Sequence, residues 1–237
     1  MAAQSFIYLD HTPVAHALEK IEGIDPSPIL HAAVVSIILI VAAVLLSRSL
    51  RGGRVMPEEK TFTVPNMMDL AVGGLLNFME ELMGPSARRF LPLIGTTAFF
   101  ILFSNLLGTI PGFDPPTSNL NTNIACALVI FSATHYVGFK THGISYLKHF
   151  MGPVIWLAPL MFIVEIIGHL ARVLSLSFRL FGNMFGDHLL LAIFVGLVPL
   201  MVPVVFMGLG LFIAFIQAFV FTLLSIVYIT GALEEAH

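Results

Sequence analysis

Several runs of this chain are as long and as apolar as the hydrocarbon core of a bilayer is thick, and that leaves few folds open to it. Crossing about 30 Å of hydrocarbon takes about 20 helical residues. Inside lipid a segment must satisfy its own backbone N–H and C=O groups, so such runs fold as helices. Ile29–Leu46, Leu91–Ile110, Asn121–Phe139 and Val204–Thr230 have this character. A fifth run, Pro153–Leu197, has about 45 residues and exceeds one upright span, which predicts a strongly tilted helix, a broken one or a hairpin. Only 11% of the 237 residues are charged and 57% are hydrophobic, against about 25% charged in soluble domains. Too few charges remain to build a water-facing surface. The class is therefore an all-α integral membrane protein with about five transmembrane helices, and a formal net charge of −3 argues against a nucleic-acid partner.

Charge placement sets the expected orientation. The first span ends in SRSLRGGR, and Arg48, Arg51 and Arg54 mark that end as cytoplasmic. Lys140, Lys148 and several histidines after the third span mark a second cytoplasmic loop. The N-terminus then lies outside and the C-terminus inside. No basic region followed by an apolar core opens the chain, so no cleaved signal peptide is expected. Residues 1–28 form an extracytoplasmic segment, and 29–237 a single transmembrane domain without internal repeats. Val64–Phe90 carries Asp69, Glu80, Glu81, Arg88 and Arg89 among Met, Leu and Phe, with Gly73-Gly74 and Gly84-Pro85 interruptions. It reads as an amphipathic helix on the cytoplasmic surface. The one cysteine, Cys126, offers neither a disulfide nor a metal cluster.

The chemistry concentrates in the long run. Arg179 lies deep in LSLSFRLFGNMFGDHLLLAIF, and a charge at that depth costs about 2.5–3.5 kcal/mol on insertion scales. At about 100° per residue, Glu165, His169, Arg172, Arg179, Asn183 and Asp187 share one helical arc of about 80°. A polar stripe on an apolar helix reads as the wall of an ion path. Glu165 and Asp187 lie about 21 Å and 12 Å from Arg179 along a helix, too far for direct pairing. His188 falls about 180° away from Arg179. Its imidazole titrates near neutral pH and suits a proton shuttle, although a simply hydrogen-bonded histidine is the plain alternative. His169 and Arg172 either join the stripe's chemistry or snorkel to the interface. Asn119, Asn121 and Asn123 either line a wet vestibule or cap the following helix. Gly182 and Gly186, four apart on the Arg179 side, would let another helix approach closely.

The runs LSLSFRLFGNM, IQAFVFTLLSIVYITGALEE and SNLNTN strongly resemble subunit a of the F-type ATP synthase, from the first span to the C-terminus. The resemblance implies that Arg179 is the stator arginine facing a ring of rotor c subunits. It likewise implies that Asn183 and Gln217 are its polar neighbours on two helices, Glu165 an acidic half-channel residue and Asn121 an asparagine at the outer end of its span. His188 stands where relatives carry Glu or His. Gly210 departs from the pattern, because some relatives carry His or Glu seven residues before the glutamine. Asp187 then becomes a candidate substitute carboxylate in the outer relay. The implied partners are the c-ring, b-type peripheral stalk subunits, the remaining ATP synthase subunits and the bilayer, in a bacterial inner membrane with protons as the coupling ion.

A guanidinium stays charged and cannot relay protons, but it stabilises the ionised form of a carboxylate that passes it. Arg179 would act as an electrostatic gate between two aqueous half-channels. No GxxxxGK[ST] loop or HExxH pattern is present, and Ser175 and Ser177 have no base and acid at recognisable spacing. No cofactor, metal or bond-making chemistry is expected of the chain alone. The alternative reading is a free-standing proton-coupled secondary transporter, a class that usually shows inverted repeats.

Overall fold

Chain-long helices are what the apolar runs dictate, and the computed structural model has them. It describes residues 27–51, 64–110, 113–143, 146, 155–197 and 201–234. Residues 1–26, nearly all of the expected outer segment, lie outside these. The helices are α1 Ser27–Arg51, α2 Val64–Met83, α3 Ala87–Leu107, α4 Leu120–His142, α5 Ala158–Leu197 and α6 Met201–Glu234. No strand occurs among the described residues. Among the described residues five stretches are long and apolar enough to cross a membrane: Pro28–Leu45, Asn66–Leu107, Leu120–His142, Ala158–Leu191 and Val204–Leu233. The all-α, multi-pass class read from the sequence is thus the observed one.

The segment expected to run as one helix from Val64 to Phe90 ends earlier. Gly84 takes φ 61°, a left-handed conformation open to glycine, and a short 3-10 turn over Gly84–Ser86 redirects the chain. Arg88 and Arg89 therefore open α3 rather than close α2. Arg88 Nε donates to Glu80 Oε1 across the turn at 3.0 Å. α2 is amphipathic as expected: Met79 and Met83 are buried while Asp69 and Glu81 are exposed.

The chain divides into two compact units, residues 1–116 and 117–237. In the first, α1 and α2 both pack on α3, and Val35, Met79, Ile94 and Ile101 are almost fully enclosed. In the second, α4, α5 and α6 all touch one another. The inward faces follow helical spacing: Ala127, Ile130, Thr134 and Val137 on α4; Val173, Leu176, Leu180 and Met184 on α5; Ala214, Ala218, Phe221, Ile226 and Ile229 on α6. Four buried hydroxyls of this unit are satisfied within their own helices. Thr134, Ser177, Thr222 and Ser225 each donate to the carbonyl four residues back at 2.7–2.8 Å, which lets polar side chains sit in an apolar bundle.

The asparagines before α4 divide their roles. Asn119 is the N-cap, its side chain accepting from Asn121 N at 2.9 Å. Asn123 is buried and donates Nδ2 to Thr117 O at 2.7 Å. Asn121 keeps an exposed side chain. At the other end of α4, Gly143 at φ 57° caps the helix by donating to Phe139 O at 2.9 Å.

Of the three forms open to the long run, the structure excludes two. α5 is unbroken over 40 residues, about 60 Å at 1.5 Å per residue. Neither a hairpin nor a break interrupts it.

Candidate functional site

α5 carries a ladder of polar groups, and its neighbours decide what each rung meets. Arg179 is exposed. Among the described residues it has no hydrogen-bond or ion-pair partner, in keeping with its axial distance from Glu165 and Asp187. One turn on, Asn183 Nδ2 donates to Oε1 of Gln217 on α6 at 2.8 Å. Gln217 is only 3% exposed, so this bond satisfies an amide held inside the bundle. Side chains placed at Gly182 or Gly186 would meet open space. The Arg179 face of α5 therefore has room beside it.

Another turn on, Asp187 lies against Gly210 of α6. A Cβ at position 210 would overlap Oδ2 of Asp187 and stand 3.2 Å from its Cγ. The carboxylate occupies the volume a side chain at 210 would need, so the two positions fill one space. The side chain of His188 lies outside the described residues.

On the opposite side of Arg179 the ladder meets α4. Nε2 of His169 is 3.4 Å from Oε1 of Glu165, one turn earlier on α5. Its ring stands nearly perpendicular to that of His135 on α4, with centroids 4.8 Å apart. Arg172 lays its guanidinium 5.3 Å from the ring centroid of Tyr228 on α6. His169 does not snorkel to an interface: its side chain is only 13% exposed, because α4 covers it. His135 is the residue the sequence reading passed over, although it lies inside the apolar run Asn121–Phe139. Its signal was available, since an ionisable residue inside an apolar span is a functional candidate by default.

The rungs thus fall into three groups: Glu165, His169 and His135 below Arg179; Asn183 and Gln217 one turn beyond it; Asp187 with Gly210 beyond those. Asn121, on α4, enters none of these contacts. No group of three or more metal-ligating side chains occurs among the described residues.

Apolar spans with an arginine, carboxylates and histidines strung along them define a multi-pass membrane protein of the ion-translocating class. The family profile of the ATP synthase A chain matches residues 29–230. "ATP synthase subunit a" of Trichlorobacter lovleyi is 49% identical over 232 residues, covering 98% of this chain and 97% of that one. The protein of the same name from Geobacter sulfurreducens is 59% identical over 172 residues, 73% of this chain and 75% of its own. "ATP synthase subunit a 1" of Syntrophotalea carbinolica is 53% identical over 207 residues, 87% and 86% of the two chains. The chain belongs to the ATP synthase A chain family.

Proposed function

We propose that this chain is the proton-translocating stator subunit of an F-type ATP synthase membrane sector, not catalytic alone, with Arg179 as its electrostatic gate. The observation that carries the reading is an arginine on an exposed face of α5, with no partner among the described residues and open space at Gly182 and Gly186 beside it. A guanidinium facing lipid is costly. A rotor ring presenting one carboxylate after another supplies a partner that is always present yet always changing. Each carboxylate that reaches Arg179 is favoured in its ionised form and releases its proton there. The fixed positive charge also blocks protons from passing directly between the two half-channels.

Protons enter from outside through a half-channel that includes Asn121, Asp187 and His188, load a rotor carboxylate, and leave near Glu165 after nearly a full turn. Each charge crossing the membrane is worth about 2.3 kcal/mol per 100 mV. The packing of Asp187 against Gly210 supports Asp187 as the outer relay carboxylate, because it fills the place of the side chain that position 210 lacks. The bond between Asn183 and Gln217 holds α5 and α6 in register beside the arginine. Other partners are b-type peripheral stalk subunits and the remaining ATP synthase subunits. The protein sits in a bacterial inner membrane with residues 1–28 outside, 29–237 as one transmembrane domain, α2 on the cytoplasmic surface and the C-terminus inside. Family membership argues against the free-standing transporter.

The test uses inverted membrane vesicles carrying Arg179→Ala, with ATP-driven acidification followed by a pH-sensitive dye. Pumping is expected to vanish while the complex stays assembled. Normal pumping would refute the gate.

A further inference from the structure

We infer that His135 and His169, together with Glu165, form a proton relay at the inner end of the α4–α5–α6 unit, a step that rests on the stator reading above. Two spaces meet at these histidines. One is a small cavity of about 20 Å³ among α4, α5 and α6, with Thr134, Arg172 and Tyr228 in its walls, enough for one water molecule. The other is an open groove of about 300 Å³ with apolar walls that include Phe139, Phe162 and Leu170, and the two histidines border it through carbon atoms. Only Phe131, His135 and His169 border both. A phenyl ring cannot bind a proton, so of these three only the imidazoles can carry one out of the cavity, and Nε2 of His169 leads to Glu165.

The surrounding charges suit a relay with single occupancy. From α5, Glu165 faces His169 at 3.4 Å and Arg172 borders the same cavity. α6 contributes Tyr228, under the Arg172 guanidinium, and Tyr146 has its ring centroid 6.0 Å from that of His135. Two imidazolium rings 4.8 Å apart beside a permanent guanidinium would repel one another, whereas one imidazolium is balanced by the Glu165 carboxylate. The pair therefore carries one proton at a time. A hydrated proton in the cavity protonates one imidazole nitrogen and leaves neutral water. The imidazolium then gives a proton to Glu165, whose carboxyl group passes it on to water, and both side chains return to their starting states. One N–H and one O–H bond each form and break in turn, with no net change in the chain.

Perpendicular packing of two rings also occurs for purely structural reasons, and the experiment separates the two roles. Vesicles containing the full complex, stripped of the soluble ATPase sector and given a potassium-diffusion voltage, report passive proton flux. His135→Gln and His169→Gln keep the approximate shape and hydrogen-bonding capacity but cannot carry a proton. Each is expected to lower the flux about tenfold or more in an assembled complex. In His169→Ala, added imidazole is expected to restore flux in proportion to its concentration. Phe131→Leu disturbs the same wall without touching a proton carrier and should conduct as wild type. Wild-type flux in both Gln variants, no response to imidazole, or an equal loss in Phe131→Leu would each overturn the relay. Arg179→Ala in the same membranes keeps the two ideas apart. If it abolishes coupled pumping while the histidine variants conduct normally, the relay alone falls; coupled pumping in Arg179→Ala removes the stator reading itself.

Discussion

Replacing Gly210 by alanine tests whether the two long helices share one volume between positions 187 and 210. The new Cβ would overlap Oδ2 of Asp187 and stand 3.2 Å from its Cγ and 3.4 Å from Oδ1. Overpacking a close interface typically costs about 1–3 kcal/mol. The obstructing atoms here are the end of a side chain with two rotatable bonds, which swings aside more readily than backbone does. The cost should sit near the lower limit, about 1 kcal/mol, and the carboxylate should leave its present place. Unfolding of the detergent-solubilised membrane sector measures the first effect, and ATP-driven acidification the second. A cycle of variants isolates the cause. In an Asp187→Asn background the obstruction has the same size and the penalty should persist. In Asp187→Ala it should disappear, giving a coupling of about 1 kcal/mol between the two positions. Additive effects of Gly210→Ala and Asp187→Ala would refute the shared volume, and with it the view that Asp187 fills the gap at position 210.

Two further outcomes follow from contacts in the same unit. Asn183→Ala leaves Gln217 Oε1 buried without its donor and should destabilise the sector by about 1 kcal/mol. The double variant Asn183→Leu with Gln217→Leu should cost less than Asn183→Ala in the same unfolding assay. Gly138→Ala would drive a Cβ into the ring of Tyr146, overlapping its Cε2. A loss of about 1–3 kcal/mol is expected, relieved when Tyr146→Ala is combined with it.

The sequence disclosed most about features that depend on neighbours along the chain. Span length is one, because bilayer thickness acts on consecutive residues, and Ser27–Arg51 and Leu120–His142 lie within a few residues of where the apolar runs place them. The turn at Gly84 was not placed: the reading ran one helix from Val64 to Phe90, and it ends at Met83 because Gly84 itself makes the turn. What the sequence left open depends on contacts between helices. Asn119 as a cap and Asn123 as a buried donor are told apart from Asn121 only once the turn at Thr117 is in place. His135 and His169 belong to different helices, and periodicity along either one says nothing about the other. The continuity of α5 was equally hidden. Gly182 and Gly186 are as compatible with a break as with a helix needing room beside it, and the open space at both answers to the second.

On the proposed stator reading, the length of α5 supplies a physical reason for two half-channels. Glu165 and Asp187 are 22 residues apart, about 33 Å along the axis. On an upright helix that separation would exceed the hydrocarbon core, and each carboxylate would stand in water at its own surface without any channel. The apolar stretch Ala158–Leu191 has 34 residues, about 51 Å, so keeping it within a core of about 30 Å requires a tilt near 54° from the membrane normal. The same tilt reduces the depth between the carboxylates to about 19 Å and leaves each one about 4–7 Å inside the hydrocarbon. Neither then reaches bulk water unaided, and the proposed function gives each its own wet path: one past Asp187 and Gly210, the other past His169 and His135. Arg179, between them on the open face, is where those paths must not join.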